Sequence, residues 1–252
     1  MQNLKLINKK MPLADMILAN VDLLSVLRRF DIALGVGDKS IADVCNEKKI
    51  NLEFFLAIVN IFHNKEYFPT EKLQSFSIST IVHFLKKSHY YYNQEIIPAI
   101  EILIHQLHWQ GDDHERNLQI LQKFFNEYRK EVKTHTDHEE ETVYPYMVYV
   151  EETCMKTEHI EECYRKMKYY SITNYAEEHN NIEEKLTDLK NIIIKYLPPS
   201  NNQDVAFRIL QKLFKLENDL KHHAAIEERI LVPKILDMEK KLEQMYLGIK
   251  KS

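Results

Sequence analysis

Two stretches of the chain, HTDHEEETVYP from His135 to Pro145 and HAAIEERILVP from His223 to Pro233, carry one skeleton: His, three residues, Glu, five residues, Pro. Residues four apart in an α-helix lie on one face about one turn apart, so each copy aims an imidazole nitrogen and a carboxylate oxygen at a common point. These are metal-ligating groups. One such pair is an accident that a Glu-rich helix produces readily. A second copy is harder to dismiss, because each carries a proline that costs about 3 kcal/mol inside a helix unless the distortion is useful.

The elements that must position these pairs are long helices. From Ser79 onward the chain offers four amphipathic segments, roughly 79–109, 114–152, 157–197 and 202–247. Gly111 with Asp112 and Asp113 marks the first turn, and the run from Leu197 to Asn202 marks the third. The middle turn is placed near Thr153 to Thr157, where apolar periodicity fades. Short links force each helix to run back along its predecessor, which predicts an up-down-up-down four-helix bundle.

Distances from the turns bring further ligands to the same level. His135 lies 24 positions after Gly111 and His89 lies 22 before it. His223 is 23 after Ser200 and His179 is 21 before it. The candidate ligand set is therefore His89, His135, Glu139, His179, His223 and Glu227. His105, His108, His114 and His159 sit near turns and read as surface residues, while His138 and His222 point aside by the helical period. His83 competes only if the site is displaced, and Glu183, four after His179, is a further ligand or an orienting partner. Glu140 and Glu228 follow the proposed ligands and turn about 100° away, toward solvent. Tyr90, Tyr91, Tyr92, Tyr144 and Tyr146 lie close in sequence and read first as packing residues.

Four imidazoles and two carboxylates suit neither calcium, which takes more oxygens, nor structural zinc, which favours thiolates. Carboxylates can bridge two metals while imidazoles complete each coordination sphere, so two iron ions fit best. Their charge would also let the buried Glu139 and Glu227 stay ionised, making the metal part of the fold's stability.

Composition sets the frame around this site. The chain has 252 residues, 44% of them hydrophobic, with only 4 Gly and 7 Pro, which favours an all-α fold over a many-stranded sheet. A net charge of −4 with interleaved signs leaves no basic stripe for nucleic acid. No uninterrupted apolar run is long enough to span a membrane, and the basic first ten residues lack a clean apolar signal core. The expectation is a soluble cytoplasmic protein. Cys45, Cys154 and Cys163 are too far apart for a zinc or iron–sulfur spacing. Ahead of the bundle, MPLADMILANVDLLSVLRRF, DKSIADVCNEKK and NLEFFLAIVNIFHNK read as short helices, with caps at Asp38 or Ser40 and at Asn51. The break at YFPTEKLQSFS places a boundary near residue 75, giving a small helical N-terminal domain (1–75) and a bundle (76–252).

These motifs resemble those of hemerythrin-like (HHE cation-binding) di-iron four-helix bundles, and the added N-terminal domain is similar to the Repair of Iron Centres proteins. The matching positions are His89 in LKKSHYYY, His135 and Glu139, His179 in AEEHNNIEE, and His223 and Glu227. The resemblance implies two non-haem iron ions, oxo- or hydroxo-bridged, in a protein that protects or repairs iron–sulfur centres damaged by nitric oxide or oxidative stress. Iron donation and NO chemistry are the implied activities, with damaged iron–sulfur proteins as partners. Family members often carry an adjacent cysteine pair in the N-terminal domain, where this chain has Leu34, Gly35, Val36 and Gly37, with only Cys45 nearby. That departure keeps a second expectation open, a module that binds or senses O2 or NO without repair. A redox enzyme reducing NO or peroxide with an external donor is a third.

Overall fold

The computed structural model of the chain describes residues 5–111, 113–176 and 181–250. Among the described residues the fold is all-helical, with an isolated antiparallel bridge between Pro12 and Ser40 in place of any named strand. The chain forms two compact units, Met1–Ser88 with His222–Ile230, and His89–Lys221 with Leu231–Ser252.

In the first unit, helices α1 (Leu13–Ala19) and α2 (Leu23–Arg29) divide the first apolar stretch. The divider is Asn20, whose side-chain oxygen accepts from the Asp22 N–H at 3.0 Å and offers the backbone a turn in place of a helical bond. Helix α3 (Ile41–Glu47) starts on a reciprocal Ser40–Asp43 capping box, and α4 (Leu52–His63) starts on Asn51, which accepts from the Phe54 N–H. Every residue of α4 from Phe54 to His63 is buried. Such a helix serves as the core of its unit, and its one amide, Asn60, is satisfied by both the N–H and the C=O of Ile7 at 2.7 and 2.9 Å. Short α5 (Thr70–Gln74) and long α6 (Ile78–Tyr90) follow.

The second unit contains α7 (Ile97–His105), α8 (Asp113–His138), α9 (Tyr144–Lys156), α10 (Ile160–Tyr169), α11 (Ile172–Ala176) and α12 (Asn181–Asn191). The last helical run is α13 (Gln203–Ile226) and α14 (Val232–Ile249). Leu121, Phe125, Tyr128 and Val132 of α8 pack with Ile100, Leu186, Leu189, Ile209, Leu213 and Leu216 in one apolar core. The loops at one end are stitched together: the Trp109 indole N–H donates to the Pro198 carbonyl at 2.8 Å, and the Asn201 N–H to the His108 carbonyl at 2.7 Å.

Four π-helical turns interrupt these helices among the described residues, Tyr91–Ile96, Glu139–Val143, Ile192–Tyr196 and Glu227–Leu231. Each ends two residues before a proline, namely Pro98, Pro145, Pro198 and Pro233. Proline has no N–H for the helical bond, and its ring collides with the carbonyl four residues back. Widening the preceding turn makes room. The repeated proline thus produces a wide turn at the level of the acidic residue rather than a simple bend.

The third segment departs from the single helix expected over 157–197. Thr157 and His159 adopt left-handed backbone with φ of 54° and 57°, so the middle turn is made without the glycine that would announce it. A second break follows at Tyr170, whose backbone is extended. There the buried Glu239 accepts from the Ile172 N–H at 3.2 Å, from the Ser171 hydroxyl at 3.3 Å and from the Tyr146 hydroxyl, restoring bonds that the helix gives up.

One charged pair helps hold α12 to α13. Lys190 Nζ lies 2.7 Å from the Glu217 carboxylate, and both are largely buried. Burial pushes the Glu217 carboxyl up, but Lys190 and Lys221 outweigh it and leave the group below its ordinary value of 4.5. A depressed folded value means the stabilisation is complete above the unfolded value and is lost as pH falls through the folded one. Replacing Glu217 with Gln is expected to cost about 1.5–3 kcal/mol near neutral pH. In urea titrations the parent and variant should converge in acid; a gap that stays constant with pH would assign the loss to packing instead.

Candidate metal centre

His89 is the penultimate residue of α6, with Tyr90 between it and the first π-turn, while Glu139 and Glu227 are the opening residues of two others. One turn earlier on the same helices stand His135 and His223. The local sequence therefore couples ligand and distortion: His and Glu share a helical face, and the widened turn begins at the carboxylate.

Glu139 is fully buried and is approached from two sides. Its Oε2 lies 3.1 Å from His89 Nε2, and its Oε1 lies 3.0 Å from His135 Nε2. The Tyr175 hydroxyl donates to Oε1 at 2.5 Å. In the second copy of the motif, His223 Nε2 lies 3.3 Å from Glu227 Oε1. His89, Glu139, His223 and Glu227 are all buried, and one ligand atom from each lies within 4.8 Å of the others. His135 meets Glu139 directly but is 24% exposed and stands outside that foursome, so the two motif copies are not equivalent. His179 lies outside the described residues.

The helical period directs Glu140 to solvent, and the structure corrects this. His89 Nδ1 lies 2.9 Å from Glu140 Oε1. A wider turn subtends a smaller angle per residue, so Glu140 stays near enough to its neighbour to reach the same imidazole. A carboxylate accepts and does not donate, so with a cation at Nε2 the Glu140 contact would hold the proton on Nδ1 and leave the Nε2 lone pair to the cation. Tyr144, expected only to pack, stacks on His89 at 5.6 Å between ring centres and places its hydroxyl 3.3 Å from Nε2.

Sequence reasoning missed Tyr175. Its one available signal was its position in the sequence, four residues before His179. Tyr92 instead donates to the buried Asp219 at 2.7 Å, and Tyr90 is exposed. His83 is exposed and lines a separate cleft in the first unit, and Glu183 is exposed on α12.

The donor set suits a hard or borderline cation. It offers nitrogen and oxygen without thiolate, and burial excludes the water that would otherwise compete for those atoms. Residues 80–235 match the Hemerythrin HHE cation binding domain. The chain belongs to that family. No curated protein matches it closely enough to add a more specific relationship. In this hemerythrin domain, the His/Glu cluster is the candidate cation site, and no helix among the described residues is long and apolar enough to cross a membrane.

The Glu140 contact yields a direct test. Glu140→Gln should weaken metal binding by about 10- to 100-fold while leaving helix content unchanged, the usual range for losing a carboxylate behind a ligating imidazole. Glu228→Gln, an exposed change at the equivalent place in the second motif, is the matched control. Equal metal affinity in both variants, measured by competition with a chelator, would remove Glu140 from the site.

Proposed function

We propose that this hemerythrin-family protein holds two non-haem iron ions and uses them to protect or repair iron–sulfur centres damaged by nitric oxide or oxidative stress. The observation that carries the two-ion reading is Glu139. Its two oxygens face different imidazoles, His89 at 3.1 Å and His135 at 3.0 Å, as suits a carboxylate shared between two cations. His89, His135, Glu139, His223, Glu227 and the third-segment His179 are the proposed ligands. Such an iron pair supplies Lewis acidity and one-electron redox chemistry toward a diatomic ligand, NO or O2.

The chain's own residues do the rest. Glu140 keeps the His89 proton on Nδ1, and the hydroxyls of Tyr144 and Tyr175 supply hydrogen-bond donors beside the ligands. Burial of Glu139 and Glu227 keeps bulk water from their carboxylates. We place the protein in the cytoplasm, where damaged iron–sulfur enzymes are its proposed clients.

One observation favours a second reading, a module that binds or senses O2 or NO. Cys45, the cysteine nearest the position of the family's dithiol, is buried, and burial pushes its thiol up to about 11. A thiol in that state is a poor nucleophile and a poor metal ligand at neutral pH, so sulfur-mediated iron transfer from this unit has no support.

The readings separate in one assay. An iron–sulfur dehydratase inactivated by NO is incubated anaerobically with the iron-loaded protein or with an equal amount of free ferrous iron. Repair predicts faster and fuller recovery with the protein. Recovery no better than with free iron, together with a stable and reversible NO spectrum, would replace repair with binding or sensing.

A further inference from the structure

The first unit contains a cleft of about 660 Å³ lined by residues of three separate stretches, Arg29 to Asp31, Lys48 to Phe54 and Ser79 to Phe84. We propose that it binds a small anionic molecule with a planar aromatic body. Its volume falls in the range of small-molecule sites, about 300–1,000 Å³, and its walls divide into two kinds of chemistry.

The apolar wall is aromatic. Phe30 packs edge-on against Phe54 at 6.1 Å and lies tilted over Phe84 at 5.5 Å. All three rings line the cleft and make this wall aromatic, with Phe30 half-buried and Phe54 and Phe84 buried. The polar wall is cationic, with Arg29, Lys48 and Lys49 against the single carboxylate of Asp31. Lys87 takes up that carboxylate, with its Nζ 2.9 and 3.2 Å from the two oxygens, which leaves the exposed Lys48 and Lys49 to set the positive charge of the lining. Arg29 is 3% exposed and is held between rings, with its guanidinium carbon 5.3 Å from the centre of Phe62 and 5.7 Å from that of Phe84.

Asp31 and Lys49, with left-handed φ of 52° and 57°, close α2 and α3, where the Ile32 and Ile50 N–H groups return to the Leu27 and Cys45 carbonyls. Both line the cleft. Glycine adopts that φ readily, so Lys49→Gly removes the cation without a cost to the backbone.

The probe is 8-anilinonaphthalene-1-sulfonate, an aromatic anion, paired with N-phenyl-1-naphthylamine, which has the same aromatic body and no charge. The full-length protein should bind the sulfonate at one saturable site. The Lys48→Ala/Lys49→Gly double variant should bind it about tenfold more weakly, as loss of a charge-assisted contact implies. Affinity for the neutral probe should stay the same, and thermal unfolding should show that the variant is folded. If the double variant is unstable, the exposed Lys48→Ala change alone should show a smaller loss in the same direction. Absence of saturable binding to the parent, or sulfonate affinity unchanged by the substitutions, overturns the proposal; equal losses for both probes overturn its anionic part. Neither substituted lysine is among the proposed ligands, and the readout is probe affinity rather than metal content, so failure here is distinguishable from failure of the di-iron reading.

Discussion

Glu139 and Glu227 are carboxylates with no exposure to water. An ionised carboxylate in an apolar interior, without compensation, costs more than the net stability of most domains. Positive charge must therefore be available to them, or a proton must be. The imidazoles of His89, His135 and His223 stand at contact distance for this reason, and a pair of cations would complete the compensation. The same requirement explains why removing one partner should be felt as both lost affinity and lost stability.

The second organising feature is the proline-linked π-turn. A proline inside a helix normally weakens it, yet here each wide turn is followed at a fixed interval by proline, and two of the turns open on the buried carboxylates. The distortion lets Glu139 and Glu140 serve the same imidazole, one at Nε2 and the other at Nδ1. A regular α-helix would have sent the second of these into water. Local backbone chemistry thus supplies an orienting carboxylate that plain helical spacing does not.

This contrast shows what was legible beforehand. The His-x-x-x-Glu pairs and their prolines are periodic features of single helices, and they identify the carboxylates, the bundle and the family from residue types alone. Tyr175 and Glu140 were not legible, because each acts across helices and depends on a turn that departs from helical periodicity. The break at Tyr170 was hidden for a similar reason: it is compensated by Glu239, far away in sequence. Likewise the middle turn uses Thr157 and His159 in left-handed backbone, where a reader of sequence looks for glycine. The cleft of the first unit is assembled from three stretches, none of which carries a motif.

The central claim is that Glu139 is shared by two metal ions. Crystals of the anaerobically iron-loaded protein, measured on both sides of the iron absorption edge, test it without relying on any activity. The account predicts two anomalous peaks, one beside each oxygen of Glu139, with His89, His223 and Glu227 among the coordinating residues. A single peak, or iron located away from Glu139, would contradict it.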